Sequence, residues 1–304
     1  MKIIEKILTE NLNIDSDTFI FDIETTGLNP KFCKIILIGI LYNCQDKTII
    51  KQFFAENEDE EQEILTAFID HIKHFKKHVT YNGLAFDIKF INYRLKKYNI
   101  DFYLNSEDDF DIFKFIKPFK YALNLESCSL ALVEKFFGIH RDDSINGEKS
   151  IELYKEFVEN QDEKLLDTIL LHNYDDIYNL SKLINIHDLV KEKLNLLEID
   201  SNNYKLEIHP LKYKINAKKL TMDYFVFSGK HNNISIYNDN YSIICQNNNI
   251  SLEINIDKGI DRDNNTILFY NLSKIIPLKF NDEVLEGNIY SLCNFIIKNE
   301  LSSI

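Results

Sequence analysis

Apolar and polar residues alternate along the first half of the chain in a pattern that predicts strands followed by helices. Residues 18–54 hold three apolar runs, "TFIFDIE", "KIILIGILYN" and "KTIIKQFFA", which predict three successive strands. Apolar residues then recur at helical spacing over residues 58–77, and "HVTYNG" predicts a short strand that ends in an Asn-Gly turn. "FDIKFINYRLKKY" predicts a further helix, and residues 111–197 have a helical pattern almost throughout. We therefore expect an α/β domain over residues 1–200, with a mixed sheet flanked by helices.

The pattern changes near residue 200. "NISIYNDN", "YSIICQNNNISLEINID" and "NTILFYNL" alternate apolar with polar residues between clusters of Asn, which predicts short strands. We expect a small β-rich domain over residues 201–304. A basic run opens this domain, and we hypothesise that it guides substrate or contacts a protein partner. The run consists of Lys212, Lys214, Lys218 and Lys219.

The charge of the chain narrows the classes of function. The formal net charge is −13, which excludes a protein that binds polyanions through bulk positive charge. All of the excess acid lies in residues 1–200, since residues 201–304 contain equal numbers of acidic and basic residues. The five cysteines form no CxxC pair, no apolar run is long enough to span a membrane, and no signal-peptide cleavage site is expected. These features predict a soluble cytoplasmic protein with reduced thiols and no membrane partner.

The first predicted strand carries two carboxylates, Asp22 and Glu24. Residues two apart on a strand share a face, so these side chains should project side by side. Two unpaired carboxylates beside a core repel each other and resist desolvation, which favours a bound cation. An edge strand whose polar face meets water explains the same pattern.

Three more residues complete a candidate site. Asp87 follows the Asn-Gly turn near the start of a helix, where negative charge is favoured. His172 and Asp176 are four residues apart on a predicted helix and so share a face. Taken singly, Asp87 is also explained as a helix-start residue, and Asp176 as a solvated side chain.

The order of these acidic residues resembles the DEDD superfamily of metal-dependent 3′–5′ exonucleases, the DnaQ-like branch of the ribonuclease H fold. "FDIETTGL" and "YNGLAFD" are similar to its first two motifs. A closer likeness is to the YprB-type ribonuclease H-like family, through "TYNGLAFDIKFINYR", "SLALVEKFFGIHRDDSINGEKSIELY" and "HNYDDIYNLSKL". The resemblance covers roughly residues 15–190.

This resemblance implies a ligand set and a mechanism. Two divalent cations, Mg²⁺ or Mn²⁺, would be held by four carboxylates, and His172 would act as the general base, in preference to Tyr174. The four implied ligands are Asp22, Glu24, Asp87 and Asp176. The chain departs from the family where Asp109 replaces a frequent His. We expect Asp111 to have a structural role and Asn82 to brace the turn before Asp87.

The resemblance implies a phosphodiester hydrolase that acts on DNA or RNA, from a single-stranded 3′ end. A structure-specific endonuclease and a non-catalytic nucleic-acid-binding module on the same fold remain as alternatives. Lysines and aromatics interleave in "YRLKKYNIDFY" and "DIFKFIKPFKY", either as a platform for a single strand or as core aromatics with solvated lysines. Arg141 is placed either to contact a phosphate or to pair locally with Asp142 or Asp143.

Overall fold

The computed structural model describes residues 1–143, 145–201, 204–229 and 233–303. They form two compact units, Met1–Ile186 and His187–Ile304. This division lies before the boundary predicted at about residue 200, because the strand Leu197–Asp200 pairs with a strand of the second unit. No helix in the described part of the chain is both long enough and apolar enough to cross a membrane.

The first unit is built from strands and helices that alternate after an all-strand start. Its strands are β1 Lys2–Ile7, β2 Thr18–Thr25, β3 Ile35–Cys44, β4 Lys47–Phe54, β5 Lys77–Thr80 and β6 Asp109–Asp111. Its helices are α1 Glu61–Ile72, α2 Asp87–Lys97, α3 Ile112–Ile116, α4 Leu130–Phe136, α5 Gly147–Asn160 and α6 Glu163–Lys182, and α7 Ile186–Lys193 follows at the junction. The predicted strands at β2, β3 and β4 and the helices at α1 and α2 are confirmed.

These strands form one mixed sheet in the order β1-β4-β3-β2-β5-β6. β1 to β4 pair antiparallel, whereas β2 pairs parallel with β5, and β5 parallel with β6. β2 is therefore hydrogen-bonded on both edges and lies inside the sheet. The explanation of Asp22 and Glu24 by a water-facing edge strand is wrong.

Successive side chains of β2 point to opposite faces of the sheet, so they pack into two different layers. Phe19, Phe21 and Ile23 join a core with α1 and α2, where they are almost fully buried. Burial of a large apolar side chain of this kind contributes roughly 1.5–3 kcal/mol. The opposite face of the sheet packs against α5 and α6, through Tyr154 and Leu166 among others. Asp22 and Glu24 occupy this second face, so α6 covers them.

A buried ion pair fixes the segment that follows β2. Arg94 on α2 is fully buried and donates through Nε to Oε1 of Glu61 at 2.7 Å, and its Nη2 contacts Oε2 of Glu61. Arg94 also donates through Nη1 to the Pro30 carbonyl at 3.1 Å, while Glu61 accepts from the Ile35 amide at 2.8 Å. The loop between β2 and β3 is thus tied to both α1 and α2.

The second unit is rich in antiparallel strands, as predicted. Its strands are β7 Leu197–Asp200, β8 Lys205–Ile215, β9 Lys219–Ser228, β10 Ile234–Tyr237, β11 Tyr241–Gln246, β12 Asn249–Asn255, β13 Asp257–Ile260, β14 Thr266–Asn271, β15 Ile275–Phe280 and β16 Glu283–Val284. They form two antiparallel sheets, in the orders β10-β11-β12-β9-β8-β7 and β13-β14-β15-β16. A helix that the strand pattern does not predict, α8 Glu286–Ser302, packs Ile289, Ile296 and Ile297 into the same core.

Ion pairs neutralise part of the basic run that opens this unit. Lys219 lies 2.5 Å from Glu253, and Lys212 lies 3.7 Å from Asp223. The role of this unit as a guide for substrate or a contact for a protein partner stays a hypothesis.

Candidate active site

A cleft of about 680 Å³ in the first unit is lined by all five side chains that the sequence singles out. These side chains come from β2, from the start of α2 and from α6. They are Asp22, Glu24, Asp87, His172 and Asp176. The parallel pairing of β2 with β5 brings the turn after β5, and hence Asp87, to the carboxylate end of β2.

The turn before Asp87 is held by hydrogen bonds from both sides. Asn82 adopts a left-handed backbone, with φ of 66°, and its carbonyl accepts from the amides of Ala85 and Phe86. Asp111 accepts from the amides of Asn82 at 2.9 Å and Leu84 at 3.3 Å. Asp111 therefore supports the turn, as expected for a structural residue.

Asp87 is held against β2 from the other side of this turn. Its Oδ1 accepts a hydrogen bond from the amide of Ile23 at 3.3 Å. The side chain of Asp87 is almost fully buried. This contact joins the first residue of α2 to the strand segment between Asp22 and Glu24.

α6 brings His172 and Asp176 over the same strand. The Nε2 atom of His172 lies 3.6 Å from Oε1 of Glu24 and 4.0 Å from Oδ2 of Asp176. One ligand atom from each of these three residues lies within 4.8 Å of the other two, which is close enough for a shared metal ion. The predicted pairing of positions 172 and 176 on one helix face is thus realised in the cleft.

A loop before α5 contributes two more residues. They are Arg141, for which the sequence left a phosphate contact or a local ion pair open, and Asp143, which the sequence did not assign to the site. Asp143 contacts Nδ1 of His172 through Oδ2, and Arg141 contacts Oδ1 of Asp176 through Nη2. Nε of Arg141 donates to Oδ1 of Asp143 at 3.0 Å. Buried Asp175 anchors the loop, because its Oδ2 accepts from the amides of Asp142 and Asp143, each at 2.7 Å. Of the two alternatives that the sequence left open for Arg141, the structure shows the local pair with Asp143, and Arg141 also pairs with Asp176.

Asn173 reaches Asp22 because the neighbouring strand has no side chain at that point. Gly39 on β3 pairs with Asp22 and also with Gln52 on β4. Nδ2 of Asn173 donates to Oδ2 of Asp22 at 3.1 Å, and Oδ1 of Asn173 accepts from Nε2 of Gln52 at 3.0 Å. A Cβ at position 39 would lie only 2.0 Å from Oδ1 of Asn173. Gly39 therefore makes room for the amide that orients Asp22.

Other expected residues lie outside this cluster. Tyr174 points away from the cleft and stacks on Tyr178, with ring centroids 5.7 Å apart, so it does not share the site of His172. Asp109, at the position of the family's frequent His, accepts from Oγ1 of Thr80 at 2.9 Å and lies 3.7 Å from Nε2 of His78. Neither residue is among those that line the cleft.

The electrostatics of the cleft favour a cation. Burial raises the pKa of Asp22 to about 6, although His172, Asn173 and Arg141 each act to lower this pKa. Burial raises the pKa of Glu24 and of Asp87 as well, and repulsion from Asp22 adds to both shifts. Carboxylates that are costly to ionise together are relieved by a divalent cation, and their hard oxygens suit Mg²⁺ or Mn²⁺. The cleft thus contains a carboxylate and histidine cluster whose donor atoms are of the type that holds a divalent cation.

The sequence left Asp143, Asn173 and Gly39 without a role in the site. Two of them could have been assigned to the site from the sequence motifs. Asn173 stands next to His172 in "HNYDD", and Asp143 is the last residue of "HRDD". Nothing in the strand pattern marks Gly39, because its role depends on the approach of α6.

Comparison with known proteins supplies the family. The family model RNase_H_2, of the RNase_H superfamily, matches residues 19–187, more than half of the chain. The uncharacterised protein YprB of Bacillus subtilis (strain 168) is 30% identical over 177 residues, which cover 55% of this chain and 41% of YprB. The DNA polymerase III PolC-type of Ureaplasma parvum serovar 3 (strain ATCC 700970) is 39% identical over 132 residues, 36% of this chain and 9% of the polymerase. The chain thus spans less than half the length of either relative.

One solved structure matches part of the chain at lower similarity. The family B DNA polymerase from the archaeon Pyrobaculum calidifontis is 17% identical, with a TM-score of 0.46, and the match covers 68% of this chain and 34% of the polymerase. The family model covers the mixed sheet from Phe19 of β2 through β6, without β1, and it covers every residue that lines the cleft. The chain belongs to the RNase_H superfamily, and its first unit is a ribonuclease H-like domain with a mixed sheet flanked by helices.

Proposed function

We propose that this protein is a metal-dependent phosphodiester hydrolase that acts on nucleic acid as a 3′–5′ exonuclease. The observation that carries the proposal is the convergence of four carboxylates and Nε2 of His172 in one cleft. A protein that only binds nucleic acid gains nothing from burying these carboxylates together. Membership of the RNase_H superfamily and the likeness to a DNA polymerase support nucleic acid as the substrate.

The carboxylates would hold two divalent cations, Mg²⁺ or Mn²⁺. Asp22, Glu24, Asp87 and Asp176 are the proposed ligands. When bound, the cations would supply Lewis-acid activation of water and offset negative charge at the scissile phosphate. Asn173 and the Ile23 amide fix the side chains of Asp22 and Asp87 before any cation arrives. Preorganised ligands of this kind reduce the cost of assembling the site.

His172 is the proposed general base. Its Nε2 would accept the proton of the attacking water, while its Nδ1–H stays hydrogen-bonded to Asp143. Attack on phosphorus then breaks the bond to the 3′ oxygen of the remaining strand, which takes up a proton from solvent and becomes the new 3′-hydroxyl. The products are a nucleoside 5′-phosphate and a strand shortened by one nucleotide.

The test is a cleavage assay on 5′-labelled single- and double-stranded DNA and RNA, with Mg²⁺, Mn²⁺ or EDTA. We expect a ladder that shortens from the 3′ end, requires a cation, and is lost in Asp22→Asn. Asp101→Asn, an exposed carboxylate, is the matched control and should cleave like the wild type.

Two results would overturn the proposal in different ways. Internal cuts on a substrate with a blocked 3′ end would replace the exonuclease with an endonuclease. Binding without cleavage of any substrate would leave a non-catalytic binding module on the same fold.

A further inference from the structure

Three lysines form a single basic face on the segment that follows β6. Lys114 lies on α3, Lys117 begins the 3₁₀ turn Lys117–Phe119, and Lys120 follows that turn. A spacing of three residues keeps side chains on one face in both kinds of helix. Lys114 and Lys117 are exposed, Lys120 is half-buried, and none of the three is in an ion pair within the described part of the chain. We call these residues the lysine face.

The lysine face adjoins the candidate active site through a chain of aromatic contacts. Nζ of Lys117 lies 5.2 Å from the ring centroid of Phe113. The Phe113 ring lies 5.8 Å from the ring of Tyr81, which lines the cleft. The hydroxyl of Tyr81 donates to the Cys128 carbonyl at 2.6 Å, so the ring is held in place. A single-stranded nucleic acid that leaves the cleft past Tyr81 would therefore meet the lysine face.

Core packing explains only some of the aromatics that accompany these lysines. Phe119 is buried and packs inward, together with Ile112 and Ile116. Tyr121 is 86% exposed, and Nζ of Lys120 lies 5.7 Å from the centroid of its ring. An exposed aromatic ring beside cations is the arrangement on which nucleobases stack while lysines contact the backbone.

We propose that the lysine face binds the phosphodiester backbone of a single-stranded nucleic acid that extends out of the cleft, and that Tyr121 stacks on one of its bases. This inference rests on the proposed function, because it takes nucleic acid as the substrate. The chain as a whole carries a net charge of −13, so a local set of three unpaired cations beside the cleft offers a polyanion its favourable approach. Continuity with the cleft favours a nucleic-acid strand over an acidic protein partner.

The test is the salt dependence of binding of a fluorescent oligothymidylate to the full chain in EDTA, measured by anisotropy. Substitution of all three lysines, Lys114→Gln, Lys117→Gln and Lys120→Gln, should reduce the slope of log K against log [salt] by about 2, at about 0.7 per lost phosphate contact. Tyr121→Ala should weaken binding by about five-fold or more without changing the slope. The charge-matched control is Lys47→Gln, Lys77→Gln and Lys298→Gln, three exposed lysines outside both stretches in which lysines and aromatics interleave.

The outcomes separate this inference from the proposed function. A slope that is unchanged in the lysine-face variant, or reduced equally in the control, overturns the inference even if 3′ cleavage persists. A reduced slope specific to the lysine face, in a protein that cleaves nothing, supports the inference and overturns the nuclease. If the wild type binds an acidic peptide but no oligonucleotide, the inference is wrong.

Discussion

Asp143 accepts a hydrogen bond from Nδ1 of His172, and this contact leaves Nε2 as the ring nitrogen that faces Glu24 and Asp176. An ionised carboxylate can only accept hydrogen bonds, so the proton of the neutral imidazole is placed on Nδ1. Nε2 then carries the lone pair that a general base needs. In the proposed mechanism, Asp143 would therefore be a positioning residue that acts through His172.

The first prediction concerns this contact. In Asp143→Asn the amide can donate to Nδ1 and stabilise the tautomer with its proton on Nε2. We expect kcat to fall about 10- to 100-fold with little change in KM, in line with the loss of other orienting partners. Nitrogen NMR of the His172 ring would report the change of tautomer independently of activity. Asp142→Asn is the control, and equal loss in both variants would argue against a positioning role.

The second prediction concerns the space at Gly39. In Gly39→Ala the new methyl group collides with the Asn173 amide, so the hydrogen bond to Asp22 breaks. We expect activity to fall at least about ten-fold, since a misplaced reacting group is costly. Gly287→Ala, where nothing lies within 4 Å, should leave activity unchanged. Full activity in Gly39→Ala would show that the Asn173 contact is dispensable.

The third prediction concerns pH and the stability of the metal-free protein. The pKa of Asp22 is 3.8 for the isolated group and rises to about 6 through burial in the folded protein. Between these two pH values the folded state binds more protons than the unfolded state, so the free energy of unfolding falls as the pH rises. The contribution of Asp22 to stability is therefore fully present below pH 3.8 and is lost as the pH rises through 6. At neutral pH the cost is at most about 3 kcal/mol.

Asp22→Asn removes this cost because the amide does not ionise. In EDTA we expect the variant to melt several degrees above the wild type at pH 7.5, with little difference near pH 4. Melting curves across this range test the prediction, and addition of Mg²⁺ or Mn²⁺ at pH 7.5 should stabilise only the wild type. A difference that does not change with pH would contradict the assignment to Asp22.

The fourth prediction concerns the buried pair of Glu61 and Arg94. Glu61→Gln leaves the Arg94 guanidinium without a counter-charge inside the core. Breaking a buried pair by removal of one partner lowers the free energy of unfolding by about 3–5 kcal/mol. Urea denaturation would measure the loss. Glu152→Gln, which breaks an exposed pair with Lys149, should give no measurable change.

Periodicity predicted the central elements because their signals are local. The strands at β2, β3 and β4 and the helices at α1 and α2 each have an uninterrupted apolar pattern. β1 was not predicted, because it is stabilised by pairing with β4, more than 40 residues away in sequence. α8 was missed as well, since it follows a series of strands and packs on a core formed by them.

The candidate site was predictable to the extent that its residues belong to motifs. Asp22, Glu24, Asp87, His172 and Asp176 line one cleft, although their roles stay predictions until they are tested. Asp143 and Asn173 act through contacts with distant residues, and a single sequence contains no record of which side chains meet. Arg141 shows the same limit, because its pairing with Asp176 spans 35 residues.

The position of β2 also determines how the cleft can move. A strand that is hydrogen-bonded on both edges and packed on both faces opens to solvent only when much of its domain unfolds. Amide hydrogens near Asp22 and Glu24 should therefore be among the slowest to exchange. The loop that carries Arg141 and Asp143 is held mainly by side-chain contacts, and it can open at far lower cost. The wall of the cleft formed by β2 is consequently more rigid than the wall formed by this loop. We expect the motions that admit a nucleic acid to be motions of the loop.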